Sequence, residues 1–253
     1  MRKYALVLAL LALAAPGLWA SWDETEHVSQ TVKLDPGGYL RLKSFSGRVT
    51  ITAADRPEVV IDAVRRGTRG QLDHTRLDIH TSGSNTVVID ASHHEPSWYE
   101  FFGRNNVVET DLDVKVPRKT SLDISVFSAP VSVDGVEGEH KIHSFSSRLS
   151  LSDVVGSVQA KTFSGPVMIR QKSWDPNQSI DVDTFSGNVE LHVPDNARGS
   201  VTFHSFSGHL NSEMPLTLQS SSRRDVRAEL GSGGSGSGSL RFKTFSGSVK
   251  IDR

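Results

Sequence analysis

Cysteine is missing from all 253 residues. That excludes thiol nucleophiles, thiolate metal sites, disulfide staples and a lipid-bearing N-terminal cysteine. Net charge is also nearly missing, because 28 Lys and Arg stand against 29 Asp and Glu. A nucleic-acid binder shows a basic stripe, so no nucleic-acid partner is expected. There is no phosphate-binding Gly-rich loop, no dinucleotide fingerprint and no Ser-x-x-Lys, so no cofactor is expected. Past residue 20 no apolar run reaches the roughly 20 residues that a membrane-crossing helix needs. Hydrophobic residues make up only 36% of the chain. That share is still too high for wholesale disorder, and the length allows a sizeable core without cross-links.

The one long apolar run is at the start. Arg2 and Lys3 precede Ala5 to Ala15, Pro16 and Gly17 break the run, and Leu18-Trp19-Ala20 leads to Ser21. This is the pattern of a secretory signal peptide over residues 1–20, with cleavage near Ala20. The alternative is an uncleaved anchor. On the first reading residues 21–253 form one domain outside the cytoplasm, in the periplasm or at the cell surface.

A repeated phrase dominates that domain: Ser or Thr, Phe, Ser, a small residue, any, apolar, any, apolar. It occurs seven times, around Phe45, Phe127, Phe145, Phe163, Phe185, Phe206 and Phe245. A period near 20 residues marks a solenoid in which each repeat is one coil. Apolar and polar residues alternate on both sides of the phenylalanine, as in Ile180 to Thr184 and Val189 to Val193, so each coil reads as two strands. The expected fold is all-β, a parallel β-helix of about seven to eight coils. The two alternations are out of phase. Placing the shift between Thr184 and Phe185 turns all seven phenylalanines inward as a buried structural ladder. The competing reading turns them outward, as a stacking strip for a polymer. The small position holds Gly47, Ala129, Ser147, Gly165, Gly187, Gly208 and Gly247, which points to close approach of neighbouring coils rather than left-handed backbone. The serine after each phenylalanine reads as a hydroxyl ladder bonded to neighbouring backbone.

Two stretches interrupt the repeat. Residues 52–120 form a strand-rich excursion near the N-terminal end. Within it, 93–106 carries Trp98, Tyr99, Phe101 and Phe102, which read either as an end cap or as a ligand-binding loop. Residues 231–239 are a Gly/Ser-rich loop without the aspartates of a calcium turn.

Chemistry is sparse. Asp181 and Asp183 share the outer face of one strand and are the best pair for glycosidic catalysis. The neighbouring positions, Lys161 and His204, make a solvated mixed-charge column the simpler reading. His94-Glu95 starts like a zinc-protease motif, but Pro96 and Trp98 break it, so neither a metal nor a catalytic residue is assigned.

The repeat Thr/Ser-Phe-Ser-Gly-x-Val-x-Ile resembles the Thr-Val-Ser-Gly-x-Val/Ile repeats of the bacterial "putative adhesin" β-strand-repeat family, a domain-of-unknown-function family similar to autotransporter adhesin head domains. The resemblance runs from about Thr31 to Asp252. It includes Phe45 to Ile51 leading to Asp55-Arg56-Pro57-Glu58-Val59, the strand end Val114-Lys115-Val116-Pro117, and the Gly-rich stretch before Thr244. It implies an extracytoplasmic right-handed β-solenoid and supplies no catalytic residues. Phe in place of the family's Val implies a wider, aromatic-lined core. The function expected is non-enzymatic, adhesin-like binding or scaffolding in the bacterial envelope, with a glycan or protein partner or self-association. A carbohydrate-active enzyme is the alternative.

Overall fold

Alternation of apolar and polar residues builds two sheets from the repeat, in a computed structural model that describes residues 24–94, 107–231 and 236–253. The leader segment, Trp98, Tyr99, Phe101, Phe102 and residues 232–235 lie outside the described residues. In the strand Ser179–Ser186, Ile180, Val182 and Thr184 are buried, whereas Phe185 is exposed. In the following strand Val189–His192, Val189 and Leu191 are buried. The change of phase therefore falls at Gly187 and Asn188, where the chain turns from one sheet to the other. That is two residues later than the sequence reading placed it.

First strands of the repeats join an 11-stranded sheet and second strands a 10-stranded one. Pairing within the repeats is parallel and position for position. Ile142 lies beside Ala160, Ala160 beside Val182, Val182 beside Phe242, and Phe242 beside Phe203. The inward rows of the two sheets, such as Leu42, Ile124 and Ile142 against Ile51, Val133 and Leu151, form one continuous core. Strand order in space departs from chain order. Gly38–Ser46 lies between Thr120–Ser128 and Thr86–His94, and Gly238–Ser246 lies between Ser179–Ser186 and Gly199–Ser207.

Both sheets are mixed, because antiparallel strands flank the parallel run. Glu58–Gly67 pairs antiparallel with Glu109–Pro117 and with Glu24–Lys33. Thr75–Thr81 pairs antiparallel with Thr86–His94. At the far end Asp225–Leu230 pairs antiparallel with Gly199–Ser207 and Leu216–Ser221. Stacked repeats need their end faces covered, and these strands cover them. The one helix among the described residues is the short Arg69–His74, closed by a Thr68–Gln71 capping box.

The small residue after each Phe-Ser sits at a corner where coils nearly touch. A Cβ built on Gly187 would lie 2.1 Å from the Gly165 carbonyl oxygen, and one on Gly165 2.1 Å from that of Ser147. The same corners carry inter-coil hydrogen bonds, Ser147 N–H to Ser164 O at 3.1 Å and Gly165 N–H to Ser186 O at 3.1 Å. The serines after the phenylalanines thus contribute their carbonyls to the ladder, in place of the expected hydroxyls. In two repeats the hydroxyl before the phenylalanine turns to the backbone: Ser44 Oγ donates to Ser46 O at 3.3 Å and Thr162 Oγ1 to Ser164 O at 3.1 Å.

His140 occupies an inward position between Leu122 and Val158, fully buried, with no well-formed hydrogen bond at either ring nitrogen and the Val155 and Val136 backbone nearby. Burial lowers its pKa to about 4, against smaller raising effects of the Val155 and Val136 backbone. Its unfolded value is about 6.5. The unfolded chain therefore takes up a proton that the folded one refuses, and stability falls as pH drops from 6.5 towards 4. The loss expected over that window is about 3 kcal/mol. Urea denaturation of His140→Leu across the same range should show that slope flattened; an unchanged slope would mean that other groups carry it. Gly187→Ala should cost about 1–3 kcal/mol through corner overpacking, read as a lower denaturation midpoint at constant m.

Candidate functional site

Because the strands pair in register, the seven repeat phenylalanines form one row. In space they run Phe45, Phe127, Phe145, Phe163, Phe185, Phe245, Phe206, with ring centroids 4.8–5.0 Å apart and planes within 4° of parallel. The spacing is that of the strands themselves and lies within the range of favourable aromatic pairs. The rings are not core. Each is 38–53% exposed, so the inward ladder is corrected to an outward one. The physical reason is the late phase change: the first strand continues past the phenylalanine, and an odd number of steps after Val182 puts Phe185 on the outer face. The core is consequently not widened by aromatics at these positions; it is filled by the aliphatic rows above.

Two positions before each phenylalanine the outer face carries a second row: Lys43, Ser125, His143, Lys161, Asp183, Lys243 and His204, in spatial order. Residues two apart on a strand face lie roughly 7 Å apart. The two rows thus wall a groove of about 900 Å³ that runs the length of the ladder, with Ser92 at its Phe45 end. Lys161 and Lys243 flank Asp183 on either side. The sequence reading set His204 next to Asp183, but Gly238–Ser246 intervenes. Lys43, Lys161, Lys243 and Asp183 form no ion pair among the described residues. At the Phe206 end, Arg224 sits 4.4 Å above the ring. His204 Nδ1 lies 2.7 Å from Asp225 Oδ1, and this hydrogen bond holds the Asp225 carboxyl below its ordinary pKa.

Two other clusters carry titratable groups. Asp181 and Asp183 do share an outer face, but their in-register neighbours include Arg241 and Lys243. The two carboxylates sit in like surroundings, whereas an acid and a base need different ones. On the other sheet Glu190, His192 and Asp252 bring one ligand atom each within 4.8 Å of one another. There His192 Nδ1 is 2.5 Å from Asp252 Oδ1, and Lys250 Nζ is 2.7 Å from Asp252 Oδ2. Hydrogen bonds to Asp252 and then Glu213 raise the Lys250 pKa, so this ammonium already supplies the positive charge a cation would bring. His93 and His94 end the strand Thr86–His94.

The fold and the ladder define an all-β, solenoid-like repeat protein. Residues 127–252 match the Toastrack DUF4097 family, a domain family of unknown function. Among solved structures it is similar to a "putative cell adhesion protein" from Clostridium sporogenes, with a TM-score of 0.55 at 10% identity over 90% of this chain and 99% of that one. A "putative adhesin" from Bacteroides fragilis aligns at TM-score 0.30 and 10% identity, over 89% of this chain and 97% of that one. A "putative lipid binding protein" from Parabacteroides distasonis aligns at 0.33 and 10%, over 90% and 96%. No curated protein matches the sequence. No helix among the described residues is long and apolar enough to cross a membrane.

The alternation that places Phe185 outside was legible, since Ile180 to Phe185 continues one period without a break. The signal for the corner was the small residue at 187, not the phenylalanine. The groove's polar wall was visible only in part, because the neighbours of Asp183 depend on a strand order that the sequence does not display.

An outward ladder makes a distinct stability prediction. Phe163→Ala removes two stacking partners and should cost about 1–2 kcal/mol. Core truncation by Ile169→Ala should cost about 2–5 kcal/mol. Urea titration of the two variants checks the order; equal losses would place Phe163 in the core.

Proposed function

We propose that this chain is a non-enzymatic binding protein of the bacterial envelope and that the phenylalanine groove is its binding surface. The observation that carries the reading is the row of seven exposed, mutually stacked phenylalanines. A contiguous apolar surface on a soluble domain marks an interaction site. In this reading residues 1–20 are a signal peptide and residues 21–253 a single solenoid domain, in the periplasm or at the cell surface. Its coils, about seven to eight in number, are right-handed, as parallel crossover connections almost always are. The name of the Clostridium protein, a cell adhesion protein, accords with binding outside the cytoplasm. Trp98, Tyr99, Phe101 and Phe102 are proposed as a second contact, because their segment follows the strand whose Ser92 lines the Phe45 end of the groove.

The test is a binding screen of the purified protein against envelope glycans, envelope lipids and extracellular-matrix proteins. Two variants run alongside: Phe163→Ser with Phe185→Ser, and Trp98→Ala with Phe102→Ala. Binding that falls at least tenfold in the first variant supports the groove. Binding that survives it but fails in the second moves the site to the aromatic segment. Turnover of any glycan, abolished by Asp183→Asn, would replace the binding reading by the enzymatic one.

A further inference from the structure

We propose that the groove holds one long acyl chain bearing an anionic head group; the assignment rests on the groove being the binding surface. Ring geometry decides the apolar half. Neighbouring rings lie nearly parallel at 4.8–5.0 Å, so every ring face but the two at the ends of the row is turned to another ring. At the Phe206 end Arg224 takes the outer face. What the ladder offers to solvent is a strip of C–H edges. A sugar or a nucleobase binds an aromatic wall by stacking on a face, and between the two end rings no face is open to it. An edge strip has no hydrogen-bonding group and suits hydrocarbon.

Dimensions narrow the choice further. Six ring-to-ring steps give an unbroken strip of roughly 30 Å. The hydrocarbon of a single membrane leaflet is roughly 15 Å deep, half of a bilayer core, so one acyl chain fits lengthwise with room to spare. The width between the two rows, roughly 7 Å, admits one chain. An α-helix, about 10 Å across with its side chains, is too wide. An extended peptide pairs with a sheet edge, and the groove lies on a sheet face.

Charge decides the head group. Lys43, Lys161 and Lys243 line the polar wall and form no ion pair among the described residues, with the carboxylate of Asp183 between two of them and Asp90 in register beside Lys43. Arg48 and Arg148, three residues beyond their phenylalanines, are exposed as well. In a chain whose formal charge is −1 overall, this local excess of cations complements an anion. A fatty-acid carboxylate meets both walls at once: its chain lies along the ring edges and its head pairs with an ammonium of the lysine row.

Calorimetry of the full-length protein with saturated carboxylates from octanoate to palmitate tests the assignment. Full burial of a methylene corresponds to about a fourfold gain in affinity. A groove open on one side should give about twofold per added methylene. Methyl palmitate, or the triple variant Lys43→Gln, Lys161→Gln, Lys243→Gln, should bind at least tenfold more weakly. Phe163→Ser with Phe185→Ser should abolish binding. Ser125→Trp, which fills the groove and leaves the ladder intact, should do the same and covers the case in which the ladder variant unfolds. Absence of palmitate binding, affinity that does not change with chain length, or binding unaffected by Ser125→Trp would overturn the acyl assignment. If an envelope glycan binds in a ladder-dependent way while palmitate does not, the groove remains the binding surface and only the acyl chain is wrong. If nothing binds through the ladder, both readings fall.

Discussion

In-register parallel pairing is the constraint from which the rest of this structure follows. When strands pair position for position, any residue repeated in the sequence becomes a straight row in space at the strand interval. Inward rows of Val, Ile and Leu zip the two sheets together. Outward rows become surface stripes of uniform chemistry. The phenylalanine ladder is such a stripe, and its ring spacing of 4.8–5.0 Å is inherited from the backbone. The corner glycines belong to the same lattice: a Cβ on Gly47, Gly165, Gly187, Gly208 or Gly247 would strike the carbonyl of the adjacent coil. Where Ser147 stands at that position, its hydroxyl accepts the Ala129 N–H at 3.0 Å and joins the ladder instead of opposing it.

Exposing seven phenylalanines costs solubility, and the row arrangement limits that cost. Each ring shields its neighbours, so that roughly half of every side chain is withdrawn from water although none is in the core. Stacked pairs contribute about 0.5–1.5 kcal/mol beyond their buried area, which offsets part of the exposure. The remaining surface is a narrow strip bordered by lysines and histidines, not a broad sticky patch. Ammonium groups along one side also oppose association of two such strips through mutual repulsion, as charges do at exposed strand edges.

The period near 20 residues, the two strands per coil and the close corner at the small residue were all legible, because each depends on local alternation or local sterics. The direction of the phenylalanines was misread, since a large apolar residue was taken as core in preference to the unbroken alternation from Ile180 to Phe185. Thr184 and its counterparts fill the inward position instead, and a buried Ser or Thr there looks like a polar site in sequence. Spatial order was not legible at all. Nothing in the spacing between Phe206 and Phe245 announces that the later strand inserts beside Phe185. That choice is made by the excursion Leu216–Leu230, which turns back antiparallel on Gly199–Ser207 and occupies the outer edge of that strand. Its inner edge is left for Gly238–Ser246.

This insertion completes the groove with a strand from the C-terminal end of the sequence. Before Gly238–Ser246 docks, Ser179–Ser186 and Gly199–Ser207 each have an open edge, and Phe185 and Phe206 each lack a neighbour. Docking supplies parallel pairing on both sides of one strand, closes the ladder through Phe245 and brings Lys243 beside Asp183. Val249–Asp252 does the same in the other sheet, joining Val189–His192 to Leu210–Ser212. Such long-range pairing forms slowly, because loop closure precedes the contacts that reward it. The phenylalanine strip is thus continuous only with Gly238–Ser246 in place. The same segment also carries Leu240, Phe242, Val249 and Ile251 into the core, so the strand pair that closes the ladder closes the core beneath it as well.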